Sequence, residues 1–114
     1  RLDEAEALFR RYLAVRGARP AQDWRYFYVQ SALGTILARQ KKFAEAETLL
    51  LASHEGLQVT GSSLSEAEFE RLQSARERLL ELYREWGKAG KAAEWQNQLD
   101  AMGKPDGNDK DSSK

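Results

Sequence analysis

The stretch that most constrains the fold runs Leu33-Gly34-Thr35-Ile36-Leu37-Ala38-Arg39-Gln40-Lys41-Lys42-Phe43-Ala44-Glu45-Ala46-Glu47-Thr48-Leu49-Leu50. Its apolar residues recur at helical spacing on both sides of Gln40-Lys41-Lys42, a segment short and polar enough to read as a turn. The pattern predicts the end of one amphipathic helix, a tight basic turn, and a second helix folded back on the first. Gly34 and Ala46 carry almost no side chain, and they fall where the two helix backbones must approach closely.

The flanking sequence predicts partial copies of this hairpin. From Leu2 to about Val15, Leu2, Ala5, Leu8, Phe9, Tyr12 and Leu13 repeat at helical spacing, with acids (Asp3, Glu4, Glu6) leading and arginines (Arg10, Arg11, Arg16) trailing, as the helix dipole favours. Gly17 and Pro20 stop that helix. Asp23 is the expected N-cap of a second helix whose face combines Trp24, Phe27, Tyr28, Ser31, Ala32, Thr35 and Ile36, flanked by Leu33 and Leu37. After the basic turn, Phe43, Ala46, Leu49, Leu50, Ser53 and Leu57 form the stripe of a third helix. Val59 to Ser63 reads as a loop. Ser65 with Glu68 has capping-box form, and Ser63 with Glu66 offers a second register. A long fourth helix to about Trp86 carries Phe69, Leu72, Ala75 or Arg76, Leu79, and Leu82 or Tyr83. Gly87 and Gly90 flank the next turn, and Ala92, Trp95, Leu99 and Met102 mark a fifth helix. The expected division is a helical domain over 1–102 and a disordered polar tail over 103–114, which has too little apolar surface to offset chain entropy.

Eighteen basic residues against 18 acidic give no net charge, which argues against general nucleic-acid or acidic-membrane binding. No cysteine is present, so disulfides, thiolate metal sites and cysteine nucleophiles are excluded, and a reducing, cytoplasmic setting is expected. No apolar run approaches the roughly 18 residues that span a bilayer. The chain opens on Arg1-Leu2-Asp3-Glu4 with no initiator methionine, already inside an amphipathic pattern, so a segment of a longer protein is expected.

Ala5, Ala46 and Ala92 each sit early in a predicted helix, and four residues on come Phe9, Leu50 and Gln96. Leu33-Gly34 and Leu79-Leu80 begin 13 residues before Ala46 and Ala92, and Leu37 and Tyr83 lie nine before them. This is the signature of a helix-turn-helix repeat. At these residues the chain resembles the tetratricopeptide repeat. The middle copy, Leu33-Gly34, Leu37, Phe43, Ala46 and Leu50, matches that pattern well. The first copy is a second helix alone. In the third, Leu80 replaces Gly, Ala89 replaces the turn aromatic, and Gln96 takes an apolar position that Trp95 is expected to fill. The 41-residue step from Ala5 to Ala46 exceeds the usual ~34 and is similar to a long-helix variant of the family. The strings Ala5 to Leu13, Asp23-Trp24 to Gly34, Ala44 to Leu51, Glu55-Gly56-Leu57 and Leu82 to Trp95 also resemble the C-terminal repeat segment of large bacterial serine/threonine kinases of planctomycete and acidobacterial type.

The resemblance implies an all-α fold of about five helices, with antiparallel hairpins stacked as a short right-handed solenoid. It implies a protein-interaction scaffold at the C-terminal part of such a kinase. No glycine-rich loop, His-Arg-Asp or Asp-Phe-Gly occurs, so any kinase domain would lie upstream. Repeat packing is assigned to Ala5, Phe9, Leu33, Gly34, Leu37, Phe43, Ala46, Leu50, Tyr83, Ala92 and Trp95. Trp24 and Phe27 are expected in the core. Tyr28, Ser31, Thr35 and Ala38, with Arg78, are the candidate peptide groove on the concave face. The family's carboxylate clamp is rejected: Ser31, Thr35, Ser74, Glu77, Arg78 and Glu81 include no Asn and only one suitable cation.

No catalytic, metal or cofactor site is expected. His54, the only histidine, reads as a surface or groove residue, and acids such as Glu45/Glu47 and Glu66/Glu68/Glu70 diverge around their helices. Arg39 with Lys41-Lys42 is too short for nucleic acid and reads as solvating the turn. The expected partner is a protein or peptide, with no nucleic acid and no membrane insertion. The alternative is a structural cap of a longer solenoid with no ligand of its own. The first helix lacks its hairpin partner, so Leu8, Tyr12 and their neighbours are expected to be partly exposed and open to self-association.

Overall fold

The computed structural model describes residues 2–16, 24–58 and 65–103. The expected breakers Gly17 and Pro20, the cap Asp23, the loop at 59–63 with its alternative cap Ser63, and the tail from Lys104 onward lie outside the described residues. Five helices follow in order: α1 (Leu2–Arg16), α2 (Trp24–Arg39), α3 (Phe43–Leu57), α4 (Glu66–Trp86) and α5 (Ala89–Met102). Among the described residues there is no strand. Each helix packs on its neighbours in the chain, and α2 also packs on α4.

The α2–α3 hairpin sits at the centre. A Cβ added at Gly34 would lie 2.7 Å from Leu50 Cγ, 2.9 Å from Leu50 Cδ2 and 3.4 Å from the Ala46 carbonyl oxygen. Glycine at 34 therefore leaves the space that the Leu50 side chain occupies, with the Ala46 backbone at van der Waals contact. At the far end of the same interface the Phe27 ring lies in the space a Cβ on Gly56 would occupy. Gly56 stays helical and acts as a seat for that ring. Around this crossing Leu33, Leu37, Ala46, Leu50, Leu79, Leu82 and Tyr83 form the fully buried cluster. Phe9, Leu13, Phe43, Leu49, Trp86, Ala92 and Trp95 pack against it.

The two described turns are copies of each other. Lys42 N–H donates to Leu37 O (2.9 Å) and Lys41 N–H to Ala38 O (2.9 Å). Shifted by 46 residues, Lys88 N–H donates to Tyr83 O (2.8 Å) and Gly87 N–H to Arg84 O (3.2 Å). This is the Schellman closure, which satisfies the last carbonyls of a helix and needs a left-handed residue at its pivot. Gly87 provides that pivot at φ 84, whereas Lys41 takes it at φ 66 despite its side chain. The next helix then starts identically, with Ala46 N–H on Lys42 O and Ala92 N–H on Lys88 O, both 3.0 Å. At α4 the Ser65–Glu68 capping box forms, with Glu68 N–H on Ser65 Oγ (3.1 Å) and Ser65 N–H on Glu68 Oε1 (2.9 Å).

Several expectations need correction. Trp24 is not core: it is 39% exposed, with the Arg71 guanidinium 4.1 Å above its ring. Phe27 is half-buried on Gly56. His54 is not a surface residue; it is 8% exposed. Gly90 lies within α5, which starts at Ala89. In α4 both Leu82 and Tyr83 are buried, as are Ala75 and Leu80. The face of α2 that enters the core is Leu33, Gly34, Ile36 and Leu37 rather than the aromatic stripe, because Tyr28 is 53% exposed.

The first helix is held lightly. Only Phe9 and Leu13 reach the core, while Leu8 is 63% and Val15 68% exposed. Glu6 accepts from Gln40 Nε2 (3.1 Å) and from Arg10 Nε (2.9 Å), and Arg10 also meets Glu45 at 2.9 Å. Those contacts, the Gln40 amide first and Arg10 second, hold the Glu6 carboxyl below its ordinary pKa. Exposed pairs of this kind add little.

Because Lys41 occupies a glycine position, Lys41→Gly is expected to raise the unfolding free energy by about 0.5–1 kcal/mol, whereas Gly87→Ala lowers it by about 1 kcal/mol. Urea denaturation of the two variants checks both signs.

Candidate functional site

α2 and α4 run parallel. Arg71 faces Trp24 at one end, Arg78 faces Ser31 in the middle, and Arg39 and Glu85 line the other end. Between the two helices lies a groove of about 560 Å³ whose floor includes Ala38, Leu50 and Leu82 and whose walls carry Thr35, Ser74, Arg78 and Glu81. A second hollow of about 280 Å³ continues it toward the start of both helices, past Tyr28, Ser31, Arg71 and Ser74. Ser74 and Arg78 border both, so the hollows form one surface.

The five residues assigned to the groove come together here. Ser31 is buried, Thr35, Ala38 and Arg78 are half-buried, and Tyr28 is exposed. Arg78 Nη1 donates to Ser31 Oγ at 2.8 Å, and its guanidinium lies 5.6 Å from the centre of the Tyr28 ring. Thr35 Oγ1 donates back to Ser31 O at 3.1 Å, which leaves its methyl group for the groove wall. Tyr28 stands edge-on to Trp24 at 6.3 Å, and Arg71 stacks on Trp24. Stacking on an aromatic face fixes a guanidinium plane without consuming its donors. Among the described residues neither Arg71 nor Arg78 forms an ion pair.

Reasoning from the sequence missed Arg71, which borders the second hollow, and the Trp24 ring on which it stacks. Trp24 precedes Tyr28 by four residues and Arg71 precedes Arg78 by seven, so helical spacing places each on its partner's face. The six positions on which the carboxylate clamp was judged, Ser31, Thr35, Ser74, Glu77, Arg78 and Glu81, all border these two hollows.

Away from the groove, α3, α4 and α5 meet at His54. Its Nε2 accepts from Arg76 Nε at 3.0 Å, and its ring stands edge-on to Trp95 at 4.9 Å. Arg76 Nη1 also reaches the Gln98 carbonyl at 3.3 Å, so one guanidinium joins three helices. Burial, then the neighbouring Arg76 charge, pushes the His54 pKa down to about 4, and the ring is held neutral. A neutral imidazole whose free nitrogen already accepts from an arginine is a packing element, not a base poised for catalysis. Nearby, Tyr83 donates to Glu47 Oε2 at 2.7 Å, and burial followed by that carboxylate raises its pKa well above the ordinary tyrosine value. Its ring stacks at 6.2 Å on Trp86, which stacks at 5.6 Å on Phe43.

Among the described residues no three His, Cys, Asp or Glu side chains are arranged to hold a metal ion, and no helix is long and apolar enough to cross a membrane. No family model, no curated protein and no solved structure matches the chain.

The His54 site generates a pH dependence. The folded chain holds His54 neutral down to about pH 4, whereas the unfolded chain takes up its proton near 6.5. Stability from this site is therefore complete above pH 6.5 and lost as pH falls toward 4, to a total of about 3 kcal/mol. Denaturant melts of wild type and His54→Gln across this range are expected to show a shallower decline in the variant; parallel curves would remove His54 from the account.

Proposed function

We propose that the chain is a non-catalytic interaction module that holds an extended peptide segment of a partner protein in the groove between α2 and α4. In this reading the helices form a short right-handed solenoid of tetratricopeptide type, with α2 and α4 as its concave face. The observation that carries it is the groove itself. It is within the ~300–1,000 Å³ range of ligand sites, with a small apolar floor and walls of hydroxyl, arginine and glutamate side chains, and Tyr28 lines the hollow that continues it. From Tyr28 to Arg39 the α2 wall is roughly 16 Å long, which suits about five residues of extended chain. Tyrosine and arginine are frequent centres of binding energy, and Tyr28 with Arg78 supplies both. The resemblance to kinase-associated repeats motivates placing the module at the C-terminal part of a bacterial serine/threonine kinase, where it would recruit a partner in a reducing, cytoplasmic setting.

A second reading, a structural cap, is favoured by α5. That helix has no fully buried residue and presents Lys91, Glu94, Asn97 and Asp100 to solvent. Terminal helices of a repeat array need such a polar outer face.

Selection of randomised display peptides on the immobilised domain separates the two. The scaffold reading expects binders that lose about tenfold or more in affinity with Tyr28→Ala and with Ser74→Phe, and that keep it with Leu8→Ser on the opposite side. Absence of selected binders, or binders indifferent to both groove changes, would favour the cap.

A further inference from the structure

α5 is held in place without a fully buried residue of its own. Ala92 and Trp95 pack on the edge of the buried cluster, and Leu99 and Met102 are half-buried further along. Among the described residues two hydrogen bonds from α4 reach this helix: Arg76 Nη1 to the Gln98 carbonyl (3.3 Å) and Arg84 Nη2 to Gln96 Oε1 (3.4 Å). Trp95, the bulkiest inward residue of α5, stands edge-on against His54 at 4.9 Å. His54 Nε2 in turn accepts from Arg76 Nε at 3.0 Å. The imidazole is thus roofed by the anchor of α5 and bonded to the guanidinium that ties α5 down.

Protonation of His54 undoes both ties. Nε2 then carries a hydrogen, so an N–H faces the Arg76 N–H where an acceptor stood, and two cations share a site that is only 8% exposed. Among the described residues no carboxylate bonds the ring to compensate. On α3, Glu47 accepts from the Tyr83 hydroxyl and Glu55 is exposed. On α5, Lys91 lies over the Tyr83 ring, Asp100 accepts from Gln96, and Glu94 is exposed. The two arginines of α2 are elsewhere, Arg25 against Trp24 and Arg39 at the groove. Arg76 is the charge on α4 that meets the ring. The imidazolium needs water, and lifting Trp95 admits it.

We propose that α5 is an acid-released latch: protonation of His54 frees α5 from α3 and α4 while the α2–α3 hairpin stays folded. Release uncovers Trp95, Leu99 and Met102, together with the side of α4 that carries Arg76, where helical spacing also places Phe69 and Leu80. No residue of α5 lines the groove between α2 and α4, so the latch is independent of the peptide-holding reading. Under α5 the ring stays neutral down to about pH 4, whereas a ring in water takes its proton near 6.5, and falling pH therefore favours the open form. A ring that regains full solvation on opening raises the open population about twentyfold between pH 7 and pH 5.

Native-state amide exchange of the full chain, read helix by helix at both pH values and corrected for intrinsic rates, tests the latch. Opening of α5 alone requires its amides to be about tenfold or more less protected than those of the α2–α3 hairpin at either pH. Their protection is expected to fall about fivefold to twentyfold from pH 7 to pH 5. His54→Gln keeps an acceptor for Arg76 but does not titrate, so its α5 protection is expected to stay within about twofold across this range. Should that buried change prevent folding, half-buried Arg76→Met decides instead: α5 is then less protected at pH 7, and the fall to pH 5 shrinks. Equal protection of α5 and the hairpin would mean that α5 opens only with the whole molecule, which would overturn the proposal. So would α5 protection independent of pH in the wild type, or an undiminished fall in the folded variants.

Discussion

Gly34 leaves open the space beside the α2 backbone that the Leu50 side chain of α3 fills, and the remainder of the molecule is built outward from that contact. Glycine inside a helix costs about 1 kcal/mol relative to alanine. The cost is offset because Leu50 enters the space beside the α2 backbone and Ala46 brings its own backbone close. With the two helices this near, Leu33 and Leu37 on one and Ala46 and Leu50 on the other close into a core with no room for water. Leu79, Leu82 and Tyr83 of α4 complete that core, and Phe9 and Leu13 of α1 with Trp95 of α5 pack on its edges. Both outer helices lack any fully buried residue, so their positions depend on the hairpin far more than the hairpin depends on them.

The groove is a consequence of how the second hairpin stacks on the first. The turns are superimposable in their hydrogen bonds at an offset of 46 residues, and α2 and α4, which run into these equivalent turns, lie parallel. Parallel neighbours leave a trough between them, and their dipoles add along it instead of cancelling. Where α3 meets α4 and α4 meets α5 the helices are antiparallel, and there the space is filled by Tyr83, Trp86, Phe43 and the His54–Arg76–Trp95 contact. The same stacking of hairpins thus fills the space on one side of the molecule and leaves a groove on the other.

Much of this is legible in the sequence because it depends on local patterns. Gly34, Ala46 and Leu50 fall at helical spacing across a three-residue turn, and the helix boundaries follow capping chemistry such as Ser65 with Glu68. What is not legible depends on partners distant in the chain. Trp24 reads as core on hydrophobicity alone, yet its spacing from Tyr28 puts it on the groove rim, where Arg71 covers it. His54 reads as a surface residue because nothing near it in sequence indicates that Arg76 and Trp95 will enclose it. Lys41 gives no sign of a left-handed backbone, since glycine is the usual signal, and only its match with Gly87 exposes the equivalence.

The central claim is that the Gly34 crossing governs the fold, and a double-mutant cycle between Gly34→Ala and Leu50→Ala tests it most directly. Alanine is the better helix former, so a residue free of contact would gain stability on this change. The account predicts that Gly34→Ala instead lowers the unfolding free energy by about 1–3 kcal/mol, through overpacking against Leu50. It also predicts that the two changes together cost clearly less than the sum of each alone, because Leu50→Ala makes room for the new methyl group. A gain in stability from Gly34→Ala, or strict additivity of the two changes, would contradict it.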